Sequence, residues 1–107
     1  MSYRTITPSE FAERAARGER VRLIDVREPE EFELARVEGA ELLPLSRMGE
    51  WAATLSADDE IVVMCHHGIR SAMVCAYLTE QGFTRMANLA GGIERWSQEV
   101  DHNVPRY

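Results

Sequence analysis

Lysine is absent from this chain of 107 residues, and positive charge is scarce overall. All twelve basic residues are arginines, and eighteen acidic residues outnumber them, which leaves a formal net charge of −6 at pH 7. Proteins that bind nucleic acids or anionic lipid surfaces in a general way carry an excess of positive charge. The charge balance therefore excludes those two classes, and we expect neither nucleic acid nor membrane among the partners.

Long hydrophobic runs are missing as well. No stretch approaches the ~20 apolar residues of a transmembrane helix, and the start MSYRTITPSEFAERAARG carries charges where a signal peptide has its apolar segment. The expected location is therefore the cytoplasm. Two cysteines are too few for the disulfide framework of a small secreted protein, so each thiol has to be interpreted from its neighbours.

What is present is typical of one globular domain. The chain has 45% hydrophobic and 28% charged residues, close to the average of folded proteins. Its length suits a single core, and no internal repeat, linker or low-complexity segment interrupts it. We therefore treat residues 1–107 as a single domain.

The pattern along the chain predicts strands that alternate with helices. Thr7 and Glu10 form a capping-box signature for a first helix, which Gly18 ends. Further helices are predicted at residues 46–55, 71–81 and 93–99, with a helical turn at Pro29. Strands are predicted at residues 21–26, 61–64 and 85–89, with a short one around Leu42. This order indicates an α/β domain with a mainly parallel sheet, in which ligands bind beyond the carboxyl ends of the strands.

The loop of residues 65–70, CHHGIR, joins the most strand-like run of the chain to a strongly apolar helix. Cys65 is expected near the N-terminus of that helix, where free amides and the helix dipole favour an anion such as a thiolate. Gly68 permits a loop whose amides point inward, and Arg70 adds a guanidinium. These features predict a cradle for a small anion, with thiosulfate, sulfonate, phosphate and a cysteine-bound anionic sulfur all left open.

This loop, together with DVRE at residues 25–28, EF at 31–32, and Gly91, Gly92 and Trp96, resembles a single-domain rhodanese. The resemblance spans nearly the whole chain and implies a five-stranded, mainly parallel sheet flanked by helices on both faces. It also implies a cysteine nucleophile, Cys65, that carries sulfane sulfur as a persulfide. The implied donor is a small anion such as thiosulfate, and the implied acceptor is cyanide, a thiol or a protein. No metal or organic cofactor is implied.

On this interpretation Cys65 is catalytic, and the rest of the loop binds substrate: His66, His67, Gly68, Ile69 and Arg70. A cation at a helix N-terminus opposes the helix dipole, which favours an anionic partner for the arginine. The two histidines and two cysteines lack the paired spacing of a zinc site. The histidines are expected to contribute backbone amides and to shape the pocket mouth, and their side-chain roles stay open.

Two other functions remain alternatives. Phosphatases and arsenate reductases of related fold use a similar loop between cysteine and arginine, but a longer one than residues 65–70 provide. A non-catalytic protein-binding module is the second alternative, although the loop is intact. The segment of residues 35–40, ARVEGA, departs from the Gly-His-Ile-Pro-Gly-Ala stretch common in the family, and only its final Gly-Ala pair matches.

The remaining features have simpler interpretations. Cys75 lies within the apolar helix and is interpreted as a packing residue, with a resolving thiol as the alternative. Asp25 and Arg27 are expected to brace the end of a strand, and Trp96 is expected in the core. The acidic run of residues 28–33 is interpreted as solvated surface, and the ending DHNVPRY as irregular. The oligomeric state is not predicted.

Overall fold

The computed structural model describes residues 2–107, which form strands and helices in alternation. The strands are β1 (Arg4–Ile6), β2 (Arg22–Asp25), β3 (Glu41–Leu42), β4 (Ile61–Met64) and β5 (Met86–Leu89). The helices are α1 (Pro8–Ala16), α2 (Pro29–Leu34), α3 (Met48–Trp51), α4 (Ile69–Glu80) and α5 (Gly92–Glu99). The strands form one parallel sheet in the order β1-β5-β4-β2-β3, which confirms the predicted α/β class.

Strand β4 lies at the centre of this sheet, and its side chains alternate between two cores. Val62 and Met64 pack on the face covered by α1 and α5, whereas Ile61 and Val63 pack on the face covered by α3 and α4. This burial on both faces explains why the strand reads as a continuous apolar run. Cys65 continues the alternation and lies on the α4 side, directly beyond the carboxyl end of the strand.

Helix α1 begins as its sequence predicts. The Glu10 amide donates to the Thr7 hydroxyl at 3.1 Å, and the Thr7 amide donates to the Glu10 carboxylate at 2.8 Å. This reciprocal capping box satisfies two amides that have no partner within the helix. Gly18 follows the helix with a φ of +81°, a conformation that favours glycine.

The prediction of one helix over residues 46–55 is wrong. A 3-10 turn at Leu45–Arg47, helix α3 and a second 3-10 turn at Ala52–Thr54 share this segment. Gly49 lowers the helix propensity, and the Thr54 hydroxyl donates to the Trp51 carbonyl at 2.7 Å, where a continuing helix would place a backbone amide. Trp51 is buried in the core, so the predicted packing of this segment against the sheet is confirmed.

Three other elements differ from the sequence prediction by more than one residue at an end. Strand β1 was not predicted from the pattern, because it is a short edge strand with mostly exposed side chains. Residues 29–34 form helix α2 rather than a single turn. Helix α4 begins at Ile69, inside the loop of residues 65–70. No helix in the described part of the chain is long and apolar enough to cross a lipid bilayer.

Candidate active site

The loop of residues 65–70 turns sharply from β4 into α4. Gly68 is the N-cap of α4 and has a φ of +103°, which a residue with a side chain rarely adopts. A Cβ atom at this position would lie 3.4 Å from the Gly91 amide nitrogen, an ordinary contact, so the backbone conformation is what favours glycine here. The glycine therefore allows the chain to enter the helix while Cys65, 1% exposed, stays at its N-terminus.

The Cys65 sulfur lies beside two backbone amides and a serine hydroxyl. The Gly68 amide donates to Sγ at 3.1 Å, the Ser71 amide approaches Sγ at 3.4 Å, and the Ser71 hydroxyl oxygen lies 3.3 Å from it. The two amides belong to the first turn of α4, whose dipole adds partial positive charge at the sulfur. This environment stabilises a thiolate and, equally, an anionic sulfur atom attached to the cysteine.

Ser71 connects the sulfur to strand β5. Its hydroxyl donates to the Asn88 side-chain oxygen at 2.5 Å, and the Asn88 amide group donates to the Gly68 carbonyl at 3.0 Å. A hydroxyl has one hydrogen, so while Ser71 donates to Asn88 it is the Cys65 thiol that donates to Ser71. When the thiol loses its proton, the serine hydroxyl becomes free to turn and donate to the sulfur.

The N-terminus of helix α5 hydrogen-bonds to the backbone of the loop. The Ile93 amide donates to the Cys65 carbonyl at 2.9 Å, and the Glu94 amide donates to the His66 carbonyl at 3.2 Å. Gly92 permits this approach, because a Cβ atom there would lie 2.4 Å from both carbonyl oxygens. The first turn of α5 therefore supplies a hydrogen-bond donor to each of these two carbonyls.

Arg70, predicted to bind substrate, forms an ion pair with Glu31 of α2. Its two terminal nitrogens donate to the two carboxylate oxygens at 2.6 and 2.9 Å. The Tyr107 hydroxyl donates to the same carboxylate at 2.8 Å. Hydrogen bonds from Arg70, followed by those from the Glu28 amide and Tyr107, hold the pKa of Glu31 at about 2 against the opposing effect of burial. The interpretation of residues 28–33 as solvated surface is therefore wrong for Glu31.

An aromatic stack covers the outer side of the loop. His66 lies between His67 and Tyr107, with ring centroids 3.9 Å apart on each side. Burial and then the neighbouring His67 lower the pKa of His66. The side chain of Ile69 is 74% exposed at the rim. The irregular C-terminal segment thus contributes to the site through Tyr107, which sequence reasoning missed.

The predicted brace between Asp25 and Arg27 is present as a buried ion pair. Both side chains are fully buried, and the Arg27 guanidinium donates to the Asp25 carboxylate at 2.7 to 3.1 Å. Arg27 also donates to the Ala35 carbonyl at 2.7 Å and to the Tyr107 hydroxyl at 2.9 Å. The pair therefore connects the end of β2 to the segment after α2 and to the aromatic stack.

The predicted loop residues differ in whether they reach the Cys65 sulfur. Gly68 contacts the Cys65 sulfur through its amide, whereas His67 and Ile69 present exposed side chains at the rim.

Cys75 is fully buried in the α4 core, as its packing interpretation requires, and burial raises its pKa to about 12. Among residues 2–107, no group of three or more histidine, cysteine or acidic side chains is arranged to hold a metal ion.

Four contributors to the site were not predicted from the sequence. Ser71 directly follows the loop, and its position at the first turn of the helix was the available signal. Asn88 is a polar residue in the buried strand β5, which is a detectable exception to the apolar pattern. Glu31 and Tyr107 reach the site from distant segments, and no local pattern indicates them.

The profile of the rhodanese-like domain matches residues 7–99. The chain belongs to the rhodanese-like family. Its resemblance to this family, first noted on the CHHGIR loop, is therefore confirmed. A rhodanese-related protein from Thermoplasma volcanium superposes with a TM-score of 0.82 at 30% identity, covering 92% of this chain and 94% of that one.

Named sulfurtransferases match this rhodanese-like domain over most of their length. Thiosulfate sulfurtransferase GlpE from Actinobacillus succinogenes is 37% identical, over 92% of this chain and 87% of that protein. The putative sulfurtransferase YtwF from Bacillus subtilis is 36% identical, over 94% of this chain and 96% of that protein. These relatives support sulfur transfer as the general activity of a rhodanese-type enzyme.

Other relatives are much longer than this domain. The chain spans 30% of a rhodanese-like/PpiC domain-containing protein 12 from Arabidopsis thaliana, at 40% identity. It also spans 27% of the probable adenylyltransferase/sulfurtransferase MoeZ from Mycobacterium tuberculosis, at 36% identity. The rhodanese-like unit therefore occurs both alone and as part of larger proteins.

Proposed function

We propose that this domain moves sulfane sulfur from thiosulfate or a related persulfide donor to a thiol or cyanide, with Cys65 as the covalent carrier. The observation that carries the proposal is the position of the Cys65 sulfur, which accepts a hydrogen bond from Gly68 and lies within reach of the Ser71 amide and hydroxyl. Backbone amides fixed in this way stabilise charge on a nucleophile without reorganising during the reaction.

The first half-reaction loads the enzyme. The Cys65 thiolate attacks the outer sulfur of thiosulfate, a new S–S bond forms, and the original S–S bond breaks with its electron pair leaving on sulfite. The product is a Cys65 persulfide whose terminal sulfur carries the negative charge. A small persulfide donor reacts in the same way and releases its thiolate. Inward-facing loop amides, including that of Gly68, favour the anionic product.

The second half-reaction unloads the enzyme. An acceptor thiolate or cyanide attacks the terminal sulfur, and the bond between that sulfur and Sγ breaks with its electron pair returning to Cys65. The products are a persulfide or thiocyanate and the Cys65 thiolate. The Ser71 hydroxyl, 3.3 Å from Sγ, donates to the thiolate as it leaves. No metal or organic cofactor takes part in either half.

Intact mass spectrometry after incubation with thiosulfate tests this proposal. We expect the wild type to gain the mass of one sulfur atom and to lose it as thiocyanate when cyanide is added. Cys65→Ser should gain nothing, while the matched control Cys75→Ser should behave as the wild type. Absence of the sulfur gain, or its persistence in Cys65→Ser, would contradict the assignment. Aryl phosphate hydrolysis that disappears in Cys65→Ser would favour the phosphatase alternative.

A further inference from the structure

The positive charge of the loop of residues 65–70, called the reactive loop below, is neutralised by a carboxylate of the same chain. Arg70 is the arginine of this loop, and Glu31 binds both of its terminal nitrogens at 2.6 and 2.9 Å. The two side chains are 32% and 21% exposed. The pair therefore lies on the partly exposed outer side of the loop, which is called the mouth below, rather than inside the core. An anion that approaches this guanidinium therefore also approaches a carboxylate.

The carboxylate of Glu31 is held in place from several sides. Besides the two bonds from Arg70, it accepts the Glu28 amide at 3.1 Å and the Tyr107 hydroxyl at 2.8 Å. Tyr107 is itself held by Arg27, whose Nη1 donates to its hydroxyl at 2.9 Å. Because these donors all favour the ionised form, the negative charge is a fixed part of the mouth at neutral pH.

Apart from Arg70, the nearby arginines do not offset the charge of Glu31. Arg27 is paired with Asp25, and Arg106 is paired with Glu94 at 2.7 Å, so each of these arginines already faces a carboxylate. Burial lowers the pKa of His66, which disfavours the charged form of its ring. The backbone amides around the sulfur therefore attract one negative charge, while a second charge placed near the mouth meets Glu31.

We propose that Glu31 is a specificity-determining residue that selects sulfur donors by charge, favouring monoanions over dianions. The inference rests on the proposed function, because it concerns the donor of the same half-reaction. Thiosulfate carries two negative charges, whereas an organic persulfide or thiosulfonate carries one. Glu31 acts through Arg70: it competes with the dianion for the guanidinium and repels the charge that the loop amides do not accept. The preferred donor is therefore a singly charged organic persulfide or thiosulfonate.

Two sulfur donors test the effect of donor charge while the type of bond that breaks stays the same. Thiosulfate and benzenethiosulfonate both present a terminal sulfur bonded to a sulfonyl sulfur, and the same S–S bond breaks to release sulfite or a sulfinate. They differ by one negative charge. The measured quantity is the ratio of kcat/KM for thiosulfate to kcat/KM for benzenethiosulfonate, with cyanide as acceptor. A merely structural defect lowers both values and leaves this ratio unchanged.

Three variants complete the design. Glu31→Gln removes the charge and keeps an oxygen that accepts the Glu28 amide, and we expect it to raise the ratio about fivefold. Glu30→Gln, in the same helix and exposed, changes the net charge equally and should leave the ratio unchanged. Arg70→Gln leaves the Glu31 charge without its counter-ion and should lower the ratio below that of the wild type.

The outcomes distinguish this inference from the proposed function. A ratio in Glu31→Gln equal to or below that of the wild type overturns the role of Glu31, as does an equal increase in Glu30→Gln. If Glu31→Gln fails to fold, a ratio in Arg70→Gln that does not fall overturns it instead. If neither donor adds sulfur to the wild type, the proposed function fails, and the selectivity of Glu31 fails with it.

Discussion

Gly92→Ala is expected to displace the reactive loop by direct contact. The new Cβ atom would lie 2.4 Å from the carbonyl oxygens of Cys65 and His66, a separation that real Cβ atoms essentially never show. Reaching 3.0 Å requires the loop or α5 to move by at least about 0.6 Å. This movement weakens the hydrogen bonds from Ile93 and Glu94 that hold the two carbonyls.

The energetic cost has two parts. Gly92 has a φ of +61°, and placing a residue with a side chain there costs about 1–2 kcal/mol. Each of the two weakened hydrogen bonds adds about 0.5–1.5 kcal/mol. The free energy of unfolding should therefore fall by about 2–5 kcal/mol, a large part of the ~5–15 kcal/mol typical of a domain. Displacing the loop amides should also slow persulfide formation by roughly tenfold or more.

Gly82→Ala is the matched control. Gly82 has a φ of +101°, but an added Cβ atom there meets nothing within 4 Å, so only the backbone cost of about 1–2 kcal/mol applies. Urea unfolding measures both variants, and mass spectrometry after a short exposure to thiosulfate measures the rate of sulfur loading. Equal losses of stability in the two variants, with loading at the wild-type rate in Gly92→Ala, would refute the reasoning.

Three further predictions concern charged groups and thiols in and near the site. Asp25→Ala leaves Arg27 buried without its counter-ion and should cost about 3–5 kcal/mol in urea unfolding; a loss below about 1 kcal/mol would contradict the brace. The lowered pKa of Glu31 means that its stabilising effect is complete above its ordinary value of 4.5 and disappears as the pH falls toward 2. Its carboxyl carbon should titrate near pH 2 by NMR, and a midpoint near 4.5 would show that the Arg70 pair is absent in solution. Iodoacetamide at mildly alkaline pH should alkylate the folded protein only at Cys65, because the pKa of Cys75 is raised to about 12; comparable labelling of Cys75 would refute this.

The elements that depend on local pattern were predictable from the sequence. The apolar run of β4 and the capping box at Thr7 each have a signature within a few residues. The same holds for the position of Cys65 between a buried strand and a helix. The five-stranded sheet, by contrast, came from the family resemblance, since the pattern alone indicated four strands and missed the exposed edge strand β1.

The groups that complete the site were not predictable, because they meet only in three dimensions. Arg70 and Glu31 are 39 positions apart, and Glu31 and Tyr107 are 76 positions apart. A glutamate in an acidic run and a tyrosine in an irregular segment have no period that marks them as partners. The parallel sheet places α2 and the loop beyond the carboxyl ends of the neighbouring strands β2 and β4, and Tyr107 reaches them from the segment after α5.

The central position of β4 also has a consequence for motion. Hydrogen-bonded strands flank β4 on both sides, and a packed core covers each of its faces. Local opening of a protein begins at edges and exposed segments, and reaches central strands only when most of the domain unfolds. The amides of β4 should therefore exchange their hydrogens most slowly, while β1 and β3 open first. Cys65 is thus attached to the part of the domain that stays closed while its periphery fluctuates.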